Sequence, residues 1–151
     1  MKRWIALGIL TQAAAWGAVT CSVSATGVAF GTYNTLSSQN ADTLGTITVT
    51  CTGTVGDPVN YQIALNQGTG SYTAREMAGG TNTMYYNLYT DASRSVVWGD
   101  GTGATTKVMD SYTMTSTTVI KNYTVYGRIP GSQSSLGTAS YLETLLVTLT
   151  Y

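Results

Sequence analysis

Residues 46–51 read Thr-Ile-Thr-Val-Thr-Cys, a strict alternation of polar and apolar side chains. Successive side chains of a β-strand point to opposite faces, so this period of two predicts a strand with one buried face and one face in water. Val59, Tyr61, Ile63 and Leu65 repeat the pattern after an intervening Gly-Asp-Pro turn signal. The two stretches together predict sheets that cover a core on one side.

Strand signals of this kind recur along the rest of the chain, whereas helix signals do not. After residue 17, no helix-length window carries apolar residues at helical spacing without interruption by Gly or runs of Thr. Gly99-Asp100-Gly101 carries an Asp-Gly turn signal and predicts a connection between two antiparallel strands. Seven or eight short strands between turns predict an all-β fold, an antiparallel β-sandwich. Beyond the two stretches above, strands are predicted at residues 23–30, 84–89, 96–98, 112–115, 119–128 and 142–151.

Residues 1–17 have the organisation of a secretory signal peptide. Lys2 and Arg3 form a charged start, residues 4–10 are apolar, and small residues follow. The apolar run is much shorter than the roughly 20 residues of a membrane-spanning helix, so we expect cleavage between about residues 15 and 18. The mature chain is then a single continuous domain, residues 18–151, that has left the cytoplasm.

The chain contains two cysteines, Cys21 and Cys51. Because an exported chain leaves the reducing cytosol, we expect these two residues to form a disulfide. In the chain-entropy model, closing a loop of that length stabilises the folded state by about 3–4 kcal/mol.

The composition offers no catalytic machinery. Histidine, the commonest general base and a common metal ligand, is absent. A disulfide leaves no free thiol nucleophile, and no spacing among the acidic residues forces two carboxylates together. We therefore predict that the protein is not an enzyme and uses no metal, no cofactor and no small-molecule substrate.

Charge is sparse and balanced. The chain has 7 basic and 7 acidic residues, and loss of Lys2 and Arg3 with the signal peptide gives the mature chain a net charge of about −2. Such a surface has no positive patch for nucleic acid. We predict no nucleic-acid partner.

The last predicted strand is unusually apolar. Leu145, Val147, Leu149 and Tyr151 share one face of it, and threonines occupy most of the other. A strand this apolar is normally central in a sheet, and an exposed edge would promote aggregation unless something covered it. These four residues are the candidate assembly surface.

Several motifs occur in an order that resembles the spore coat protein U domain family, which includes spore coat proteins and the subunits of archaic chaperone–usher pili. The resemblance spans essentially the whole mature chain. Its motifs are Cys21-Ser22-Val23, Phe30-Gly31-Thr32-Tyr33, Ile47-Thr48-Val49-Thr50-Cys51, Tyr86-Asn87-Leu88-Tyr89-Thr90-Asp91, Trp98-Gly99-Asp100-Gly101-Thr102, Tyr126-Gly127-Arg128-Ile129-Pro130 and Val147-Thr148-Leu149-Thr150-Tyr151.

The resemblance implies an immunoglobulin-like sandwich that lacks its last strand. Such a subunit is held by a periplasmic pilus chaperone, passed to an outer-membrane usher, and completed by a donor strand from a neighbouring pilus or coat subunit. The groove for that strand would lie around Leu145, Val147, Leu149 and Tyr151. The resemblance therefore implies a structural subunit of a cell-surface fimbrium or a spore coat, with a role in adhesion and biofilms.

One departure from the resemblance concerns the start of the mature chain. Polymerising pilins of this kind carry a donor segment of about a dozen residues before the first cysteine, whereas about three to six residues precede Cys21 after the expected cleavage. That length spans at most about 20 Å. We expect a subunit that accepts a donor strand without giving one, at a fibre tip or chain end, or a coat protein that does not polymerise by strand exchange.

The segment after Trp98 gives an alternative function, that of an adhesin or binding module contacting surfaces or glycans. Trp98, Asp100 and Thr102 would form its loop surface, and packing inside the fold is the plainer interpretation of the aromatic residue. The aspartates in this region could bind calcium with loop carbonyls, but a turn between strands explains them more simply.

Overall fold

The computed structural model describes residues 18–151, so the predicted signal peptide at residues 1–17 lies outside the described residues. Among residues 18–151, no helix is long and apolar enough to cross a membrane. The regular elements are nine strands: β1 (Thr20–Thr26), β2 (Ala41–Thr52), β3 (Pro58–Leu65), β4 (Gly70–Ser71), β5 (Ala74–Gly79), β6 (Asn82–Tyr89), β7 (Val108–Thr113), β8 (Thr118–Ile129) and β9 (Val147–Thr150).

The strands form two sheets. One has six strands in the order β1-β2-β8-β6-β5-β4, and the other has three in the order β7-β3-β9. Every ladder between these strands is antiparallel. The predicted all-β, immunoglobulin-like antiparallel sandwich is confirmed.

The long pair β2 and β8 forms the centre of the larger sheet. Their ladder runs without a break from Ala41 opposite Ile129 to Thr52 opposite Thr118. Ile47, Val49 and Cys51 on β2 are at most 2% exposed, and the threonines between them lie on the outer face. The alternation in residues 46–51 therefore produces the predicted strand, with one buried face and one outer face.

The smaller sheet supplies the other half of the core. On β3, Val59, Tyr61, Ile63 and Leu65 are at most 3% exposed and face the larger sheet. Burying a side chain of this size contributes about 1.5–3 kcal/mol. The alternating apolar residues of β2 and β3 thus hold the two layers together.

The connection between β1 and β2 packs onto the inner face of the larger sheet where two glycines make room. A Cβ on Gly127 would lie 2.7 Å from Val28 Cγ1 and 2.9 Å from Phe30 Cζ, and one on Gly45 would lie 2.7 Å from Val28 Cγ2. Contacts this close require something to shift, so the glycines let Val28 and Phe30 approach the sheet. Phe30 then makes an edge-to-face contact with Tyr86 at 6.2 Å.

The prediction of an antiparallel connection at Gly99-Asp100-Gly101 is wrong. The segments on either side meet in a parallel bridge between Trp98 and Thr106, in which the Gly99 N–H donates to Thr106 O at 3.0 Å. Gly101 has φ of 84°, and the backbone N–H of Thr102 donates to Asp100 Oδ1 at 2.9 Å. The chain therefore makes a full loop here instead of a reversal.

The last strand is shorter than predicted because the chain crosses between the two sheets. Leu142 forms an isolated antiparallel bridge with Ala78 of β5, whereas residues 147–150 pair with β3. Between these contacts, Asn66 bonds both ways to Leu146: its N–H donates to Leu146 O at 3.1 Å, and Leu146 N–H donates to Asn66 Oδ1 at 2.9 Å.

Candidate functional site

The candidate site is a groove between β1 and β9, which we call the acceptor groove. β1 pairs only with β2 and β9 pairs only with β3, so each has an outer edge that no strand among residues 18–151 covers. The two strands approach each other without sharing a sheet. Unpaired N–H and C=O groups on such edges are ready to pair with an added strand.

Two cavities mark the ends of the acceptor groove. One, of about 630 Å³, lies where Val19 and Cys21 face Tyr151. The other, of about 180 Å³, lies where Ala25 and Thr26 face the segment that leads into β9. The start of β1 thus faces the end of β9, so the two edges run antiparallel.

The groove floor is the apolar core. The smaller cavity reaches the core residues Ile47, Leu65, Met77, Leu88 and Val125. The smaller cavity therefore lies directly over the apolar core, and apolar side chains of an added strand that entered it would find apolar neighbours.

The predicted assembly residues line this groove to different extents. Leu145, Val147 and Leu149 are half-buried and pack against the core, and the first two line the smaller cavity. Tyr151 lines the larger cavity but is 60% exposed. The structure places all four along one wall of the groove, and their role in assembly stays a prediction.

The wall formed by residues 141–146 is fixed by Glu143, which the sequence analysis did not select. The Tyr86 hydroxyl and the Thr69 N–H both donate to its carboxylate. A Cβ on Gly68 would lie 2.1 Å from Glu143 Oε1, so the glycine allows this close approach. Burial, and then the bond to Glu143, raise the pKa of Tyr86, so the hydroxyl remains a donor. The sequence does contain a signal for this role, because Glu143 is an acidic residue at an inward position of the alternating stretch 141–149.

A fully buried arginine lies behind this wall and was also missed. Arg75 is 0% exposed; its Nη1 donates to Asn87 Oδ1 at 2.7 Å and its Nη2 to Trp98 O at 2.7 Å and to Asn66 O at 3.0 Å. Burial lowers the pKa of Arg75. These bonds tie β5 and β6 to the loops that carry Asn66 and Trp98.

The predicted disulfide between Cys21 and Cys51 is confirmed. The two residues lie directly opposite each other in the β1–β2 ladder, with a Cα–Cα distance of 4.1 Å. The bond therefore fixes one wall of the acceptor groove covalently to the larger sheet.

The candidate loop surface needs a correction. Trp98 is 0% exposed, and its Nε1 donates to Ile63 O at 3.0 Å, so its side chain belongs to the core and not to a binding surface. Asp100 and Thr102 are exposed, and hydrogen bonds from Thr102 lower the pKa of Asp100. Among residues 18–151, no group of three His, Cys, Asp or Glu side chains is arranged to hold a metal ion.

The fold and the site define a class of molecule: an antiparallel sandwich with one disulfide and an acceptor groove between two free strand edges. The chain belongs to the Spore Coat Protein U domain family, whose model matches residues 9–148.

A solved structure shares the fold. It is the crystal structure of the CsuC-CsuE chaperone-tip adhesion subunit pre-assembly complex from the archaic chaperone-usher Csu pili of Acinetobacter baumannii. The similarity has a TM-score of 0.58 and 21% sequence identity and covers 89% of this chain; the chain spans 40% of the length of the chain that it matches. No curated protein matches this chain.

Proposed function

We propose that the chain is a structural subunit of a cell-surface fimbrium of the chaperone–usher kind, exported through the periplasm and assembled by donor-strand complementation. The observation that carries this proposal is the acceptor groove, where two free strand edges border a cavity lined by apolar core residues. Family membership supports the same function. A spore coat assembled in the same way is the alternative setting that the family allows.

The free edge of β1 is long enough for one added strand. β1 has 7 residues, which corresponds to a strand of about 23 Å at roughly 3.3 Å per residue. A strand placed there would pair with both free edges and point alternate side chains at the core. Each apolar side chain that it buries would contribute about 1.5–3 kcal/mol.

The partners that follow from this proposal are a periplasmic chaperone, an outer-membrane usher and neighbouring subunits. The support for a chaperone is the fold-sharing structure, which is described as a complex of a chaperone with a tip adhesion subunit. A chaperone that filled the groove during export would keep the free edges of β1 and β9 from pairing with other chains.

We further propose that the subunit ends a fibre instead of extending it. Residues from Thr20 onward are already paired with β2, so a donor segment would have to come from residues before Thr20. If the signal peptide is cleaved near Ala15, only residues 16–19 remain, and these span at most about 14 Å. Purified subunits mixed alone should therefore form no strand-exchanged polymers, and polymers would contradict a terminal role.

The test of the main proposal is mass spectrometry of the protein recovered from its native periplasm under gentle conditions. We expect a stable one-to-one complex with a chaperone-sized partner, because the groove has two unpaired strand edges beside an apolar cavity. A folded monomer without a partner would contradict strand complementation and favour a sandwich that functions alone.

The exposed loop at Asp100 and Thr102 favours a second candidate function, a binding module that contacts surfaces or glycans. Replacing both residues by Ala should reduce adhesion to the bound surface while leaving the amount of assembled fimbriae unchanged. Unchanged adhesion would argue against this loop as the contact surface.

A further inference from the structure

A further unpaired strand edge lies on β8. Over its full length β8 pairs with β2 on one side, but on the other side β6 pairs only with residues 126–128. No strand among residues 18–151 covers that side of residues 118–125. This edge is at least as long as the one on β1, so it is another place where a strand could add.

The side chains that point inward beside this edge differ from those of the acceptor groove. Val119, Lys121, Tyr123 and Val125 alternate toward the interior along β8. Lys121 is a charged residue in this inward series, whereas the wall of the acceptor groove presents Leu145, Val147 and Leu149.

Lys121 forms an ion pair across the gap between the sheets. Its Nζ lies 3.8 Å from Asp110 Oδ2 on β7, and the two side chains are 42% and 26% exposed. The same Nζ lies 4.9 Å from the centroid of the Tyr112 ring, which also belongs to β7. The charge pair therefore stands at the opening between β7 and β8.

Two hydroxyl groups extend this polar bridge inward. The Tyr123 hydroxyl donates to Asp110 Oδ2 at 2.5 Å and lies 2.5 Å from the Tyr61 hydroxyl. Burial, with the bond to Asp110, raises the pKa of Tyr123, so it keeps its proton and remains a donor. Asp110 is thus held in place from the interior while it faces Lys121.

We propose that Lys121 and Asp110 guard the free edge of β8, so that no strand adds in the gap between β7 and β8. An added strand would place its inward side chains beside Lys121 and Asp110 and would remove both charges from water. Removing an ion from water is energetically costly unless it is fully compensated. Inward-pointing charges are a known protection of strand edges.

The test compares three variants by sedimentation velocity over a range of protein concentrations. Lys121→Val removes the charge and places a residue with high strand propensity at this position. Lys121→Thr introduces a side chain of nearly the same shape as valine that keeps a polar group. Lys107→Val is the control that removes a lysine elsewhere. We expect concentration-dependent self-association of Lys121→Val beyond the wild-type level, weaker association of Lys121→Thr, and none beyond wild type for Lys107→Val. Wild-type behaviour of Lys121→Val would overturn the proposal.

Hydrogen exchange then locates the contact. We expect amides within residues 118–125 to become at least tenfold more protected in associated Lys121→Val, because β8 gains a pairing partner. Association that protects only residues 145–150 would overturn the proposal, since it would use the acceptor groove. Lys121→Met, unbranched and uncharged, replaces the valine variant if circular dichroism shows that valine prevents folding. Neither measurement depends on the proposed fimbrial function.

Discussion

Replacing Val147 by Asp is the most direct perturbation of the acceptor groove. Val147 is half-buried, lines the smaller cavity and pairs with Leu65 in the β3–β9 ladder. Thr148, the next residue on the same strand, is exposed on the opposite face, so Thr148→Asp is a control with the same added charge.

The magnitude follows from what an added strand would cover. When the groove is filled, Val147→Asp loses about 1.5–3 kcal/mol of apolar burial and leaves a carboxylate without a partner, which costs further. A combined loss of at least about 3 kcal/mol weakens binding by roughly 100-fold. In the empty groove the carboxylate still reaches water, so we expect the free energy of unfolding to fall by only about 1–2 kcal/mol.

The assay is the recovery of the one-to-one periplasmic complex by native mass spectrometry, with urea unfolding of each variant as the measure of stability. Val147→Asp should lose the complex and remain folded, whereas Thr148→Asp should behave as the wild type does. A complex formed normally by Val147→Asp, or lost equally by Thr148→Asp, would refute the groove as the binding site.

Three further predictions concern stability. Replacing Cys21 and Cys51 by Ser should lower the free energy of unfolding by about 3–4 kcal/mol in urea titrations, and an unchanged midpoint would contradict the loop-closure argument. Arg75→Met removes a donor from two buried acceptors, Asn87 Oδ1 and Trp98 O, and from the partly buried Asn66 O, so we expect a loss of about 3 kcal/mol in the same assay. A loss below about 1 kcal/mol would show that water replaces the guanidinium. The hydrogen bond from Arg128 lowers the pKa of Asp42 in the folded protein below its value of about 4 in the unfolded chain. The pair therefore stabilises the fold fully at pH values above about 4, and this stabilisation is lost as the pH falls through the lowered pKa of the folded protein. The difference in urea midpoint between wild type and Asp42→Asn should therefore be present at neutral pH and vanish in acid. A difference in midpoint that persists in acid would show that the ion pair is not its origin.

Local alternation was enough to predict the central strands. Residues 46–51 and the apolar series on β3 became buried faces because side-chain direction in a strand depends only on parity. The disulfide followed from export and the number of cysteines. The family resemblance, and not periodicity, supplied the expectation of an open side.

Long-range contacts explain what the sequence did not predict. The Asp-Gly signal at Asp100 indicated a reversal, but the bonds from Gly99 to Thr106 impose a loop instead. Trp98 was a candidate for the loop surface, with core packing as the plainer interpretation, and its indole is buried and donates to Ile63 O. Arg75 and Glu143 act through partners nine or more residues away, and no local pattern specifies such partners.

The position of the disulfide determines how tension passes through the chain. Cys21 is the second residue of β1, directly opposite Cys51 on β2. A pulling force that enters from residues before Thr20 reaches the sulfur bridge before it reaches the rest of the ladder. The load then passes covalently into β2, and the hydrogen bonds of residues 22–26 are spared from opening one after another. Mechanical strength at this point is therefore that of a covalent bond, and it depends on the redox state of the surroundings.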